Sequence, residues 1–155
     1  MTRRAFLHLA VGALAAVIAA ADGAPPAHAQ ARPAEATLRA AEWTAIRQVI
    51  GDQRKALKSG DGTKAFAFAS PGIREQFGTP EIFLRMVRDA YAALIAARYV
   101  EFLEGAVIDG AVIQPLRLVA PDNTVMVALY TMEKQNDGRW KIAGCVLAPS
   151  TVQAA

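Results

Sequence analysis

Two residue patterns divide this chain, and their order limits what it can become. From Leu38 to Leu94 the apolar side chains recur at helical spacing, whereas from Tyr99 to Leu147 they form β-branched and aromatic runs separated by turn residues. Helices first and strands afterwards cannot build the alternating units of a parallel sheet. The order predicts an α+β fold, with N-terminal helices packed on a curved antiparallel sheet of four strands.

Trp43, Ile46, Val49, Ile50 and Leu57 place one apolar stripe on a helix from about Leu38 to Ser59. Arg54, Lys55 and Lys58 stand in its last turns, where cations meet the negative end of the helix dipole, and Gly60 offers a left-handed stop. Asp61 or Thr63 can then cap a short helix carrying Phe66 and Phe68, which Ser70-Pro71 ends because the residue before proline is driven out of helical geometry. Pro71 suits the first turn of a second short helix reaching Phe77, and Gly78 breaks it. Thr79, Pro80 and Glu81 open a third, with Phe83, Met86, Val87, Ala90, Tyr91 and Leu94 along one side.

Strands are expected over residues 99–104, 111–120, 124–134 and 139–147, joined in part by hairpins at Pro121-Asp122-Asn123 and Asn136-Asp137-Gly138. Pro115 lacks an N–H and predicts an edge or bulge position. Strict alternation puts Trp140, Ile142 and Val146 on one face and Arg139, Lys141 and Cys145 on the other, unless Gly144 marks a bulge that switches parity.

The first 29 residues look like an address. Arg3 and Arg4 precede an uncharged run of 17 residues from Ala5 to Ala21, and Pro25-Pro26 lead into the small-x-small pattern Ala27-His28-Ala29. A signal peptidase would cut between Ala29 and Gln30, leaving a flexible leader over 30–37, a single domain over 38–148 and a disordered tail over 149–155. A retained anchor would need about 20 strongly apolar residues; the run is shorter and rich in alanine, so no stable membrane span is expected after cleavage. Thr2-Arg3-Arg4-Ala5-Phe6-Leu7-His8 also resembles a twin-arginine motif, so export to the periplasm or beyond by either the Sec or the twin-arginine route fits.

Cleavage removes both histidines, His8 and His28. The remaining 126 residues therefore exclude Ser-His-Asp and Cys-His catalysis and imidazole-based zinc sites. Neither cofactor nor metal site is expected. Loss of Arg3, Arg4 and Asp22 leaves 15 basic residues against 13 acidic ones, without the clustered basic stripe that nucleic acid requires. Cys145 is the single cysteine, so no internal disulfide can form. It reads either as a buried small apolar side chain or as a reactive thiol activated by nearby Lys141.

The stretches "AIRQVIGDQRKAL", "AFAFASPGIREQFGTPEIFLRMVRDAY" and "VALYTMEKQNDGRWKIAGCVL" together resemble the small exported bacterial family catalogued as domain of unknown function 4864, over about residues 43–148. The resemblance implies an NTF2-like, cystatin-like cone in which a bent sheet wraps a helix and can leave a pocket. It implies no known reaction. The chain departs from the family after Tyr91, where a Pro-x-Tyr-Arg-Pro segment is replaced by Ala93-Leu94-Ile95-Ala96-Ala97, which lets the third helix run longer.

Cone-shaped relatives of ketosteroid isomerase type use a carboxylate as proton shuttle and a tyrosine as oxyanion donor. Here Tyr91, Tyr99 and Tyr130 could donate, and Asp89, Glu101, Glu104 and Glu133 could shuttle, but Asp89 and Glu133 sit among polar neighbours and read as solvated. No catalytic residue is assigned. The aromatics read chiefly as core, and a pocket in such a core would be lined by Trp43, Phe83, Tyr91, Met126, Tyr130, Met132 and Trp140. Non-catalytic binding of a small apolar ligand or an envelope partner protein is the leading expectation. The alternatives are a pocket isomerase or dehydratase, and a structural homodimer joined through Val125, Val127 and Leu129 on the outer sheet face.

Overall fold

The computed structural model describes residues 37–150. The expected signal segment with its Ala29–Gln30 cleavage point, residues 30–36 of the expected flexible leader and the last five residues lie outside that range. Five helices precede five strands in the order α1 (Ala40–Ser59), α2 (Gly62–Ala67), α3 (Pro71–Phe77), α4 (Pro80–Ala90), α5 (Ala92–Ala96), β1 (Tyr99–Phe102), β2 (Ala106–Ile108), β3 (Ala111–Val119), β4 (Val125–Lys134) and β5 (Trp140–Pro149). All strand pairings are antiparallel, in the order β1-β3-β4-β5, and β2 joins β3 beside β1. The fold is α+β, as the order of patterns required. No helix among the described residues is long and apolar enough to cross a membrane.

The helix ends follow the chemistry of orphan backbone groups. The side chains of Asp61, Ser70 and Thr79 each accept from the backbone N–H three residues on, and Pro71 and Pro80 occupy the first helical positions. Glu42 accepts from the Arg39 N–H at 3.2 Å and from Lys134 Nζ at 2.6 Å, which ties the start of α1 to β4. At the other end Gly60 takes φ 74°, a left-handed stop that a side chain would strain.

One face of α1 lies on the sheet. Ile46 and Ile50 are fully buried against Leu116, Leu118, Ala128, Tyr130 and Met132, which point inward from β3 and β4. A second apolar cluster holds the end of α1 to α2 and α4 through Ala56, Leu57, Phe66, Phe83 and Val87. The α2–α3 junction then clamps the free edge of β5: the Ser70 N–H donates to the Ile142 carbonyl at 2.8 Å, and the Ile142 N–H donates to Phe68 at 2.9 Å.

Three features differ from the sequence expectations, and a fourth settles an alternative that the sequence left open. A fifth strand, β2, forms because Asp109 and Gly110 both take positive φ, 50° and 80°, and turn the chain directly into β3. The third helix does not run through to Leu94; the backbone leaves helical geometry at Tyr91, at φ −126° and ψ 29°, and α5 follows as a separate turn.

Pro115 lies inside β3, between β1/β2 and β4, rather than at an edge. Its carbonyl accepts from the Leu103 N–H, so the proline nitrogen faces the break between β1 and β2, where no ladder bond is forfeited. The buried amide of Gln114 donates there to the carbonyls of Leu103 at 2.7 Å and Pro115 at 2.9 Å. Finally, Thr131 pairs with Gly144 while Met132 pairs with Ile142, so Ala143 is a bulged extra residue. Parity switches beyond it: Cys145 joins the inner face of Trp140 and Ile142, whereas Val146 turns outward at 62% exposure.

Candidate functional site

A cavity of about 230 Å³ lies between the helical layer and the β4–β5 half of the sheet. Its floor is Tyr130 on β4 with Ile142 and Cys145 on β5. Gln53 and Leu57 of α1 and Leu94 of α5 form its sides, and α3 and α4 roof it with Ile73, Phe77, Phe83 and Met86. Gln76 is exposed and sits at the rim. An apolar cavity of about 150 Å³ holds one benzene ring, so this one accommodates a ring with a short arm, roughly ten non-hydrogen atoms by the same scale.

The local sequence explains each wall. Phe77 and Phe83 meet edge to face, with ring centroids 5.8 Å apart, because Gly78 and the Thr79-Pro80 cap fold α4 back against α3. Phe66 packs behind Phe83 with ring centroids 5.3 Å apart and the ring planes tilted by 42°. The break at Tyr91 swings its ring inward, and its hydroxyl donates to the Cys145 carbonyl at 2.6 Å. The Ala143 bulge in turn directs Gly144 and Cys145 toward the cavity.

Polar groups on these walls are few. Gln53 is buried and donates to the Ala65 carbonyl at 3.2 Å. Tyr130 is 1% exposed, and its hydroxyl has no hydrogen-bond partner among the described residues. Burial, with Cys145 adding to it, raises its pKa well above the ordinary phenol value. Tyr91 is raised in the same direction, again chiefly by burial.

Burial also pushes the Cys145 thiol up to about 12. Lys141 does not activate it, because its ammonium is committed to the Ala67 carbonyl at 2.6 Å. Both effects favour the thiol over the thiolate at this position on the cavity wall.

Of the side chains expected to line a pocket, the structure brings Phe83, Tyr91 and Tyr130 together here. Trp140 borders a separate, more open depression with Ala45, Val49 and Phe68, its ring carrying Lys134 Nζ 5.8 Å from its centroid. Trp43, Met126 and Met132 pack into the main core without reaching the cavity. Trp43 is held by Gly105, where any Cβ would be driven into the indole ring. Sequence reasoning missed Gln53, Ile73, Phe77 and Met86. Phe77 carried a signal, as the last residue before a helix-breaking glycine and two residues before the next cap, Thr79.

The carboxylates considered as proton shuttles lie elsewhere. Glu101 pairs with Arg117, whose Nε approaches at 3.1 Å, at a register position shared with outward-facing Val127. Asp89, Glu104 and Glu133 are exposed. Among the described residues no Asp or Glu lines the cavity, and no three His, Cys, Asp or Glu gather as a metal would require.

The sequence profile described as Domain of unknown function (DUF4864) matches residues 39–155. Neither a curated protein nor a solved structure matches the chain.

Proposed function

The chain belongs to the DUF4864 family, and from that premise we propose that its domain is an exported, non-catalytic binding module whose ligand is small and largely apolar. The observation that carries this reading is the cavity of about 230 Å³ walled by aromatic and aliphatic side chains, with a buried tyrosine hydroxyl that has no partner among the described residues. Ligand sites share this composition: apolar walls with a few placed polar groups. An isomerase of NTF2-like shape would need a carboxylate beside Tyr91 or Tyr130, and the absence of one from the cavity wall favours binding over proton transfer. The helix laid across the antiparallel sheet supports an NTF2-like cone, and the leader pattern through Ala29 supports a periplasmic or secreted product beginning at Gln30.

Native mass spectrometry of the protein purified from its own cell envelope tests the proposal. A retained small ligand should appear as added mass, disappear on unfolding and be lost from Met86→Trp, which fills the cavity roof. Bare polypeptide mass, together with no binding of small apolar probes by refolded protein, would overturn it. The same spectrum reads the mature N-terminus.

One observation favours a second reading, a homodimer. Leu129 and Val146 face each other across β4 and β5 on the outer sheet face, at 39% and 62% exposure, beside half-buried Val127 and Pro115. A second copy covering this face would bury it. Light scattering that reports a monomer at high concentration would remove this reading.

A further inference from the structure

One residue breaks the inward stripe of α1. Ile46, Ile50 and Leu57 are buried at helical spacing, and Gln53 takes the stripe position between Ile50 and Leu57, itself only 5% exposed. A leucine would complete the stripe, whereas a carboxamide gives up water there and needs hydrogen bonds within the fold. Gln53 has one such bond: its Nε2 donates to the Ala65 carbonyl at 3.2 Å. A carbonyl only accepts, so that contact fixes which end of the amide faces α2 and leaves Oε1 on the other side.

That oxygen accepts from no group among the described residues. The unpartnered side-chain atoms wholly enclosed by protein are Arg54 Nε and the Tyr130 hydroxyl, and Gln53 Oε1 is not one of them. The small surface it keeps belongs to the cavity that Gln53 lines. Held by a helix at its root and by Ala65 at its tip, it is a fixed acceptor in an apolar wall.

The rest of the wall restricts what can join it. Among the described residues no Asp, Glu, Lys or Arg lines the cavity. The Tyr91 hydroxyl is committed to the Cys145 carbonyl at 2.6 Å. A charged ligand would lose its water here without meeting an opposite charge, a penalty that a neutral one escapes. A carboxylate would in addition set oxygen against oxygen at Oε1, which calls for a donor. Aliphatic amines donate but carry charge at neutral pH, so a hydroxyl is the simplest neutral donor.

Resting on the ligand-binding reading above, we propose that the cavity takes an uncharged aromatic or branched alcohol whose hydroxyl donates to Gln53 Oε1 while its carbon frame lies among Phe77, Phe83 and Met86. The cavity volume sets the size at about ten non-hydrogen atoms, and the Phe77–Phe83 edge-to-face pair suits a flat ring.

The test is calorimetric titration at pH 7 of protein that has been unfolded in urea and refolded to strip carried ligand. The probes are 3-phenylpropan-1-ol, its isomer 2-phenylethyl methyl ether, 3-phenylpropanoate and 3-phenylpropan-1-amine, with 4-methylpentan-1-ol and 4-methylpentanoate as a second scaffold. The ether keeps the atoms and the acceptor but lacks the donor. The alcohol should bind about 10-fold more tightly than the ether, and each alcohol at least about 10-fold more tightly than the ions of its own scaffold. Gln53→Leu leaves the Ala65 carbonyl its bond from the Phe68 N–H; it should weaken the alcohol by about 10-fold and the ether by no more than about 3-fold. Should Gln53→Leu fail to fold, the head-group series on the unmodified protein decides alone. An ether or an ion binding as tightly as the alcohol, or a Gln53→Leu variant that keeps the preference or weakens both isomers alike, would overturn this inference and leave the ligand cavity standing. Binding of no probe on either scaffold would sink both.

Discussion

Removing one oxygen from each of two tyrosines should move stability in opposite directions. Tyr91→Phe deletes the hydroxyl that donates to the Cys145 carbonyl at 2.6 Å. A net hydrogen bond contributes about 1 kcal/mol, and the stranded carbonyl adds to the loss. Because Tyr91 is only half-buried and water can reach part of that site, the expected destabilisation is about 1–2 kcal/mol. Tyr130→Phe deletes a hydroxyl that is desolvated and unpartnered. Such a group costs about 1–3 kcal/mol on protein mutational scales, and the small void left behind returns a few tenths of a kcal/mol of that. The ligand-free variant should therefore gain about 0.5–2 kcal/mol, a rise of roughly 4 °C per kcal/mol for a domain of this size. Urea unfolding of refolded, ligand-free protein, fitted by linear extrapolation with a shared slope, measures both. The reasoning fails if Tyr130→Phe destabilises by about 1 kcal/mol or more, for that would mean its hydroxyl is already bonded within the protein.

Other expectations are quickly checked. Cys145 should resist a thiol reagent at pH 8 in the folded protein and label fully after denaturation; rapid labelling of the native state would contradict a thiol pushed up to about 12. Its linkage has a definite sign. Between the ordinary value of 9.0 and about 12 only the unfolded chain loses the proton, so stability is intact below about pH 9 and falls by about 1.4 kcal/mol per pH unit above it. Cys145→Ala should delay that alkaline loss to the range where tyrosine ionises, as urea midpoints against pH would show. Gly105→Ala should cost about 1–3 kcal/mol by overpacking the Trp43 ring, and a neutral result would show that the indole can move aside. Gln114→Leu strands the Leu103 carbonyl, takes one of two donors from the Pro115 carbonyl and removes the acceptor of Arg47 Nε, and should cost about 1–3 kcal/mol; retained stability in a thermal melt would refute that role.

Local chemistry made much of the fold legible. Asp61, Ser70 and Thr79 act as caps because their short side chains reach the backbone N–H three residues on, and that reach is written in sequence spacing. Non-local effects were hidden. Whether Pro115 lies at an edge depends on where two other short strands part, and the parity of β5 depends on one extra residue, Ala143, opposite β4. The missed strand β2 was legible in principle, since Asp109-Gly110 between apolar residues is a hairpin signal. For the site, Phe83, Tyr91 and Tyr130 could be named from spacing and face, whereas Met126 and Met132 share the Tyr130 face and still miss the cavity. A face is a property of one strand, but the position of a cavity along it is set by α3, α4 and α5.

The central claim is that the space beneath α3 and α4 receives a ligand, and a chemical-shift titration observes that space residue by residue. With refolded, isotope-labelled protein and 3-phenylpropan-1-ol as titrant, saturable shifts should appear at Phe83, Tyr91, Tyr130 and Cys145 while the depression around Trp140 stays unperturbed. Shifts confined to the Trp140 depression, or none at saturating probe, would contradict the account.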